Sequence, residues 1–234
     1  MTNSSGTAAM SVTESILARH SVRAFSDKPV PGSVVQEILE IASRSASGGN
    51  LQPWRVYALS GEPLSELVTD VVAKAAEKGL AGDGDFEYEV YPRELGEPYK
   101  THRFQSGETL YAALGIERAD KAGRGKQFMN NFRFFGAPVG LFFCIDRQMG
   151  SAQWADIGIF MQSVMLLAVE RGLGTCPQEA WSLWHKTVRA HCEVPDELII
   201  FCGMALGYPD DTHPVNKAKT GRVSASEFTE FKGF

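Results

Sequence analysis

Residues 153–171 constrain the fold more than any other part of this chain. They carry apolar side chains at helical spacing (Ile157, Phe160, Met161, Val164, Met165 and Ala168), and most positions between these are apolar too. A helix that is apolar on nearly all sides belongs in the interior rather than on the surface. Gly172 and Gly174 end it. The chain must therefore supply layers that cover such a helix. Residues 139–145 and 198–206 are continuous apolar runs of strand length, the pattern of buried strands. A third strand, 54–59, follows Pro53, which sets the chain extended.

Helical patterns surround these strands. Residues 13–20 form a short first helix. Residues 33–45 form a second, opened by a capping-box pattern of Ser33 with Gln36 three positions on, and carrying Val34, Ile38 and Ile41 on one face. Residues 62–78 alternate apolar and charged groups at helical spacing, and shorter helices are expected near 108–114, 120–132 and 183–191. Between 80 and 108 the periodicity disappears into Gly, Asp, Glu, Tyr and two prolines, which is the character of a lid or binding loop. No linker or repeat divides the chain. The reading is one α+β domain over 13–234, with a lid insertion around 80–110 and a disordered tail over 1–12.

Composition removes several function classes. The net charge of -5 speaks against nucleic-acid binding, which calls for a basic excess. No run approaches the roughly 18 consecutive apolar residues of a membrane helix, and the polar first residues lack the pattern of a secretory signal. Cys144, Cys176, Cys192 and Cys202 form no Cys-x-x-Cys pair. They read as reduced thiols of a cytoplasmic protein, with no metal set, and Cys144 and Cys202 sit inside apolar runs as small hydrophobes. His102, His185, His191 and His213 are scattered and read as surface or packed histidines.

Three segments carry candidate chemistry. The first is Arg19-His20-Ser21-Val22-Arg23. Arg19, Ser21 and Arg23 at two-residue spacing share one side of an extended segment, and guanidinium forks with a hydroxyl suit a phosphate. A solvated helix end has the same composition, so the reading depends on other basic residues, for which Arg133 and Arg222 stand ready. The second is Ser47-Gly48-Gly49-Asn50-Leu51-Gln52, where glycines allow close backbone approach and the amides suit a heterocycle edge; a plain helix-to-strand turn would look alike. The third is Thr175-Cys176-Pro177-Gln178-Glu179-Ala180-Trp181, whose proline holds backbone extended against a flat ligand or merely shapes a loop over a buried Trp.

Taken together, and joined by Gly-Ala-Pro-Val-Gly at 136–140, Gly-Leu-Gly-Thr-Cys-Pro-Gln at 172–178 and Arg222, these segments resemble the FMN-dependent nitroreductases in order and spacing over nearly the whole chain. Asn-Phe-Arg-Phe-Phe-Gly-Ala-Pro at 131–138 and the terminal Phe231-Lys232-Gly233-Phe234 are similar to the p-nitrobenzoate-reductase-like members. The resemblance implies a central, mostly antiparallel sheet flanked by helices, in an intertwined homodimer with FMN at the interface. It implies that Arg19, Ser21, Arg23 and Arg222 hold the FMN phosphate with His20 beside them, and that Ser47, Gly48 and Asn50 reach the flavin of the other subunit. Asn130 would contact the ring system, Arg133 would help hold the nicotinamide cofactor, and Pro177, Gln178, Glu179 and Ala180 would line the flavin edge near N5.

The activity implied is NADPH- or NADH-driven reduction of a small aromatic acceptor, a nitroaromatic or a quinone, by ping-pong kinetics. The flavin carries the chemistry and no side chain acts as catalyst. The same fold also hosts dehydrogenation, dehalogenation, flavin destruction and flavin binding without turnover. The chain departs from many relatives at Ala46 and Gly48, and at Thr220, where some keep a lysine, so a less basic phosphate grip is expected. Phe86, Tyr88, Tyr91 and Tyr99 in the insertion either stack on the acceptor or pack on their own subunit.

Overall fold

The computed structural model describes residues 10–234. The expected tail therefore lies largely outside the described residues. Its last positions, Ser11 and Val12, already begin the first helix, α1 (Val12–Ala18), through a capping box between Ser11 and Glu14. Then follow α2 (Gly32–Ala42), β1 (Trp54–Ser60), α3 (Gly61–Lys78), α4 (Tyr99–Ala113), α5 (Lys121–Met129), β2 (Val139–Asp146), α6 (Ser151–Glu170), β3 (Gly174–Gln178), α7 (His185–Cys192), β4 (Leu198–Gly207) and α8 (Ala225–Phe228).

The sheet is antiparallel throughout, in the order β1-β2-β4-β3. Alternation along β2 divides the core into two layers. Leu141, Phe143 and Ile145 face α2 and α6, while Phe142 and Cys144 face α3, α7 and the aromatic side chains of the 130–136 and 179–184 turns. Burial on both faces explains why β2 reads as an unbroken apolar run.

The second layer depends on two strand glycines. A Cβ on Gly203 would lie 2.2 Å from Trp181 Cδ1, and one on Gly140 would lie 2.7 Å from the Phe134 ring. Trp181 and Phe134 stack with centroids 4.7 Å apart. Phe134 and Phe135 reach this position through left-handed backbone, φ 48 and 53, which is costly for bulky residues and is held by full burial of the Phe134 ring.

Two expectations are corrected. Ser33 does not cap α2. The carbonyl of Pro31 accepts from Val34 N–H at 3.0 Å and Val35 N–H at 3.3 Å, so the helix starts one residue before Ser33 and ends at Ala42. The α6 helix is not enclosed on all sides. Ile157, Phe160, Val164 and Ala168 are buried, but Ile159 is 46% exposed and Gly158 is exposed beside it. By length and composition α6 could cross a bilayer. Here one face packs on the sheet, and its buried Asp156 accepts a hydrogen bond from Gly48 N–H at 3.1 Å, which marks it as a core helix.

The insertion is part helix. Its start is pinned by the buried carboxylate of Glu87, which pairs with Arg147 and with His185 Nδ1 at 2.6 Å. Tyr88 packs on its own subunit. Its hydroxyl donates to Phe201 O, and its ring meets Trp154 edge-on at 5.4 Å. Phe86, Tyr91 and Tyr99 stay exposed, and α4 buries no residue within the chain.

Candidate functional site

The first helix ends at Ala18, two residues before its expected end, and the segment after it is extended, the conformation in which Arg19, Ser21 and Arg23 share one side. Arg19 leaves the helix at ψ 124, and Ser21 forms a parallel bridge to Thr175 on β3. Val22 N–H donates to Thr175 O at 2.9 Å, and Arg23 N–H donates to Asn216 Oδ1 at 2.8 Å. With Val22 pointing into the protein, Arg19, Ser21 and Arg23 face the other way together.

They face a cavity of about 620 Å³, of the size that takes a drug-sized molecule. Its walls also include His20, Gln162 of α6, Ser106 and Thr109 of α4, and residues 218–220 and Arg222. Among the described residues, four cationic groups (Arg19, Arg23, Lys219 and Arg222) line it, and no carboxylate does. Burial pushes the Arg19 guanidinium below its ordinary value, and the positive charge of Arg222 pushes it further. Such mutual repulsion is relieved by an anion.

Sequence reasoning missed Lys219. Thr220, at the position where some relatives keep a lysine, instead accepts a hydrogen bond from Arg222 Nη1 on its hydroxyl at 2.9 Å. The cavity is thus more basic than Thr220 alone suggests. No local pattern marks Lys219; only the return of the C-terminal segment to the 19–23 wall gives it a place.

The residues around the cavity fit FMN. His20 Nδ1 lies 3.0 Å from Ala18 O, which can only accept, so Nδ1 carries a proton. His20 Nε2 is buried without a partner, as are Thr175 Oγ1 and Gln178 Oε1. Of these only His20 lines the cavity, and its unpartnered nitrogen beside four cations suits an anionic ligand that also carries polar atoms.

The third segment lies at the end of β3. Pro177 pairs with Met204 and Gln178 with Gly203. Gln178 Nε2 donates to Asn131 O at 2.5 Å, tying β3 to the turn that carries Asn130 and Arg133. Asn130 Nδ2 donates to Gln127 Oε1 at 3.0 Å, and Arg133 is exposed. Glu179 and Ala180 follow at the sheet edge; the protein packed around the Glu179 carboxyl raises it above the ordinary range. Neither these residues nor Asn130, Arg133, Ser47, Gly48 and Asn50 line the cationic cavity. Asn50 is exposed with left-handed backbone, φ 55, and Gly48 is anchored to Asp156. The four histidines outside the cavity are occupied otherwise or exposed: His185 sits between Asp85 and Glu87, His191 pairs with Asp70, His213 accepts from Val215 N–H, and His102 is exposed. Cys144 and Cys202 are buried thiols, and burial pushes Cys144 up to about 12.

The profile of the nitroreductase family matches residues 16–208. The chain belongs to the nitroreductase family. Among its relatives, the chloronitrobenzene nitroreductase of Comamonas testosteroni is 42% identical over 216 residues, covering 91% of this chain and 93% of that one. The 4-nitrobenzoate reductase of Pseudomonas putida is 36% identical over 94% of each chain, in keeping with the resemblance to that branch. The crystal structure of the FMN and NADPH-dependent nitroreductase NfnB from sphigopyxis sp. strain HMH superposes with a TM-score of 0.92 at 46% identity, covering 96% of this chain and 100% of that one. The FMN-dependent NfnB from Mycobacterium smegmatis, solved in complex with NADPH, superposes with a TM-score of 0.88 at 30% identity, covering 94% and 97%. The fold is therefore the α+β nitroreductase fold.

Proposed function

We propose that this nitroreductase is a homodimeric, FMN-dependent enzyme of the cytoplasm that uses NADPH or NADH to reduce nitroaromatic or quinone-type acceptors. The observation that carries it is the cavity lined by four cations and no carboxylate beside the unpartnered Nε2 of His20. FMN, when bound, supplies two-electron transfer between nicotinamide and acceptor. Arg19, Ser21, Arg23, Lys219 and Arg222 hold its phosphate through charge-assisted hydrogen bonds. Pro177, Gln178, Glu179 and Ala180 line the ring edge, and Gln178 Oε1 is buried without a partner there. Asn130 and Arg133 stand beside them through the Gln178–Asn131 bond, Asn130 toward the ring and Arg133 toward the nicotinamide nucleotide. Donor and acceptor use one open face in turn, which gives ping-pong kinetics.

The dimer is supported by what the single chain leaves uncovered. Ile159 on α6, Val12, Ile16 and Leu17 on α1, and Phe228, Phe231 and Phe234 in the tail are exposed apolar groups. A second copy covers them and brings its own Ser47, Gly48 and Asn50 to the flavin. The unpaired thiols and nucleotide donor suit the reducing cytoplasm.

The test is anaerobic. Purified protein is expected to be yellow, to bleach with NADPH or NADH, and to regain colour when nitroaromatics or quinones are added. A colourless protein that takes up no added FMN overturns the reading. A yellow protein that neither nucleotide bleaches shows flavin binding without this activity.

A further inference from the structure

A second cavity, about 600 Å³ in volume, lies against the other side of α4. Its cationic groups are Arg93, Lys100, Arg103, Arg118 and Arg124, against two carboxylates, Glu94 and Glu108. Arg93 is paired with Glu89 at 2.8 Å and Arg124 with Glu108 at 3.0 Å. Lys100, Arg103 and Arg118 have no carboxylate within ion-pair distance among the described residues. In a chain of net charge -5, this concentration of unpaired cations is a local inversion of the overall field.

Three of the cavity's guanidinium groups sit over aromatic rings, Arg124 over Tyr111 at 4.1 Å and the two unpaired arginines over rings of their own. Arg103 lies over the Tyr91 ring, 4.2 Å from its centroid, and Arg118 lies over Phe104 at 4.9 Å. The ring contact restrains each guanidinium, and neither Arg103 nor Arg118 makes an ion pair among the described residues, so their N–H groups can meet an oxyanion. The same layers of ring and guanidinium offer flat surfaces on which a base can stack. One helix separates this cavity from the one assigned to the FMN phosphate: Ser106, Thr109 and Leu110 line the inner cavity, Lys100, Arg103 and Phe104 line the outer one, and Gly107 touches both.

We propose that this outer cavity takes the 2′-phosphate of the adenosine half of NADPH, with Lys100, Arg103 and Arg118 as its ligands, so that the insertion selects NADPH over NADH. NADPH differs from NADH only by this phosphate, so a group of unpaired cations one helix away from the FMN-phosphate cavity can discriminate between them through that group. A phosphate dianion engages several cations at once, whereas the single charge of an aromatic carboxylate is satisfied by one guanidinium fork. A volume of about 600 Å³ admits a nucleoside phosphate with room for its base. The inference rests on the nicotinamide-dependent activity proposed above.

The test uses the full-length protein and the double variant Arg103→Gln/Arg118→Gln, with Arg103→Glu/Arg118→Glu as a stronger second. Both arginines are exposed, so folding and FMN content are expected to match the wild type, and both are measured. By calorimetry, adenosine 2′,5′-bisphosphate binds the wild type at least tenfold more tightly than adenosine 5′-monophosphate does, and the double variant abolishes that difference. In steady state, KM for NADPH rises at least tenfold in the variant while KM for NADH stays within about twofold. The proposal is overturned if the two adenosine probes bind the wild type alike, or if KM rises equally for both nucleotides. A raised KM for 4-nitrobenzoate with NADPH unchanged also overturns it and makes the cavity a carboxylate subsite. Calorimetry needs no turnover. An inert protein that still prefers the bisphosphate therefore defeats the proposed activity alone, and an active protein that shows no preference defeats the site alone.

Discussion

The two walls of the inner cationic cavity are anchored in opposite ways. The 19–23 wall is tied to the sheet: Val22 N–H bonds Thr175 O on β3, and the Val22 side chain is 2% exposed, while Arg23 N–H bonds Asn216 Oδ1 in the C-terminal segment. The segment leading to the 219–222 wall is held at Asn216, but beyond it, among the described residues, the wall itself has no bond to the sheet. Lys219 and Arg222 are exposed, and the Arg222 guanidinium bonds only to Thr220 and Gly221 beside it. One wall is preorganised before a ligand arrives; the other gains most of its order from the ligand. Preorganised donors lose less entropy on binding, so the same charge contributes more on the first wall than on the second.

Breaking the anchored wall has the largest expected effect. A Cβ on Gly174 would lie 2.5 Å from Val22 Cγ2 and 2.9 Å from Pro209 Cγ. Gly174→Ala is predicted to cost about 1–3 kcal/mol by overpacking and to weaken FMN together with stability. Thermal melting and fluorescence titration of FMN check this, and unchanged values for both would mean the wall is not rooted in the sheet.

Arg23→Ala removes a ligand but leaves the anchor. FMN affinity is predicted to fall at least tenfold, about 1.4 kcal/mol, with the melting temperature of the apoprotein unmoved; an unaltered FMN affinity refutes Arg23 as a phosphate ligand. Lys219→Ala and Arg222→Ala on the open wall are each predicted to lower affinity by about three- to tenfold. Their effect should shrink in high salt, because exposed charges are screened. If they equal Arg23→Ala and resist salt, the contrast between the walls is wrong.

The smallest effect belongs to a surface pair far from either wall. Lys74 and His191 hold the Asp70 carboxyl below its ordinary range, with partial burial opposing. A carboxylate lowered in the folded state stabilises the fold above the ordinary aspartate value of about 3.9 and loses that contribution as pH falls through its folded value. The group is a third exposed, so Asp70→Asn should cost less than about 1 kcal/mol near neutral pH and nothing in strong acid. Melts at both pH values with FMN titration check this, and any loss of FMN affinity would break its use as a control.

Much of the frame was legible because its signals are local. The apolar run of β2 and the spacing of α3 and α6 place those elements to within a residue or two. The pattern at Ser33 misled because Pro31, with φ -61, already supplied the first helical carbonyl. The first half of α4 was not legible, since a helix that buries no residue leaves no apolar stripe to read. Thr220 was read as a weaker grip because Lys219 had no partner in view.

The sequence by itself marked which segments could meet a ligand, because two-residue spacing and the fixed backbone of Pro177 are properties of neighbours along the chain, and the resemblance in their order named the cofactor. Only the tertiary structure decided which of those residues share a cavity. Arg23 meets Asn216 across 193 positions, and that long-range contact brings Lys219 and Arg222 to the Arg19–Arg23 wall. It likewise decided that α4 stands between two cationic cavities, since charges scattered from 93 to 124 acquire a common field only when the chain folds them around one space.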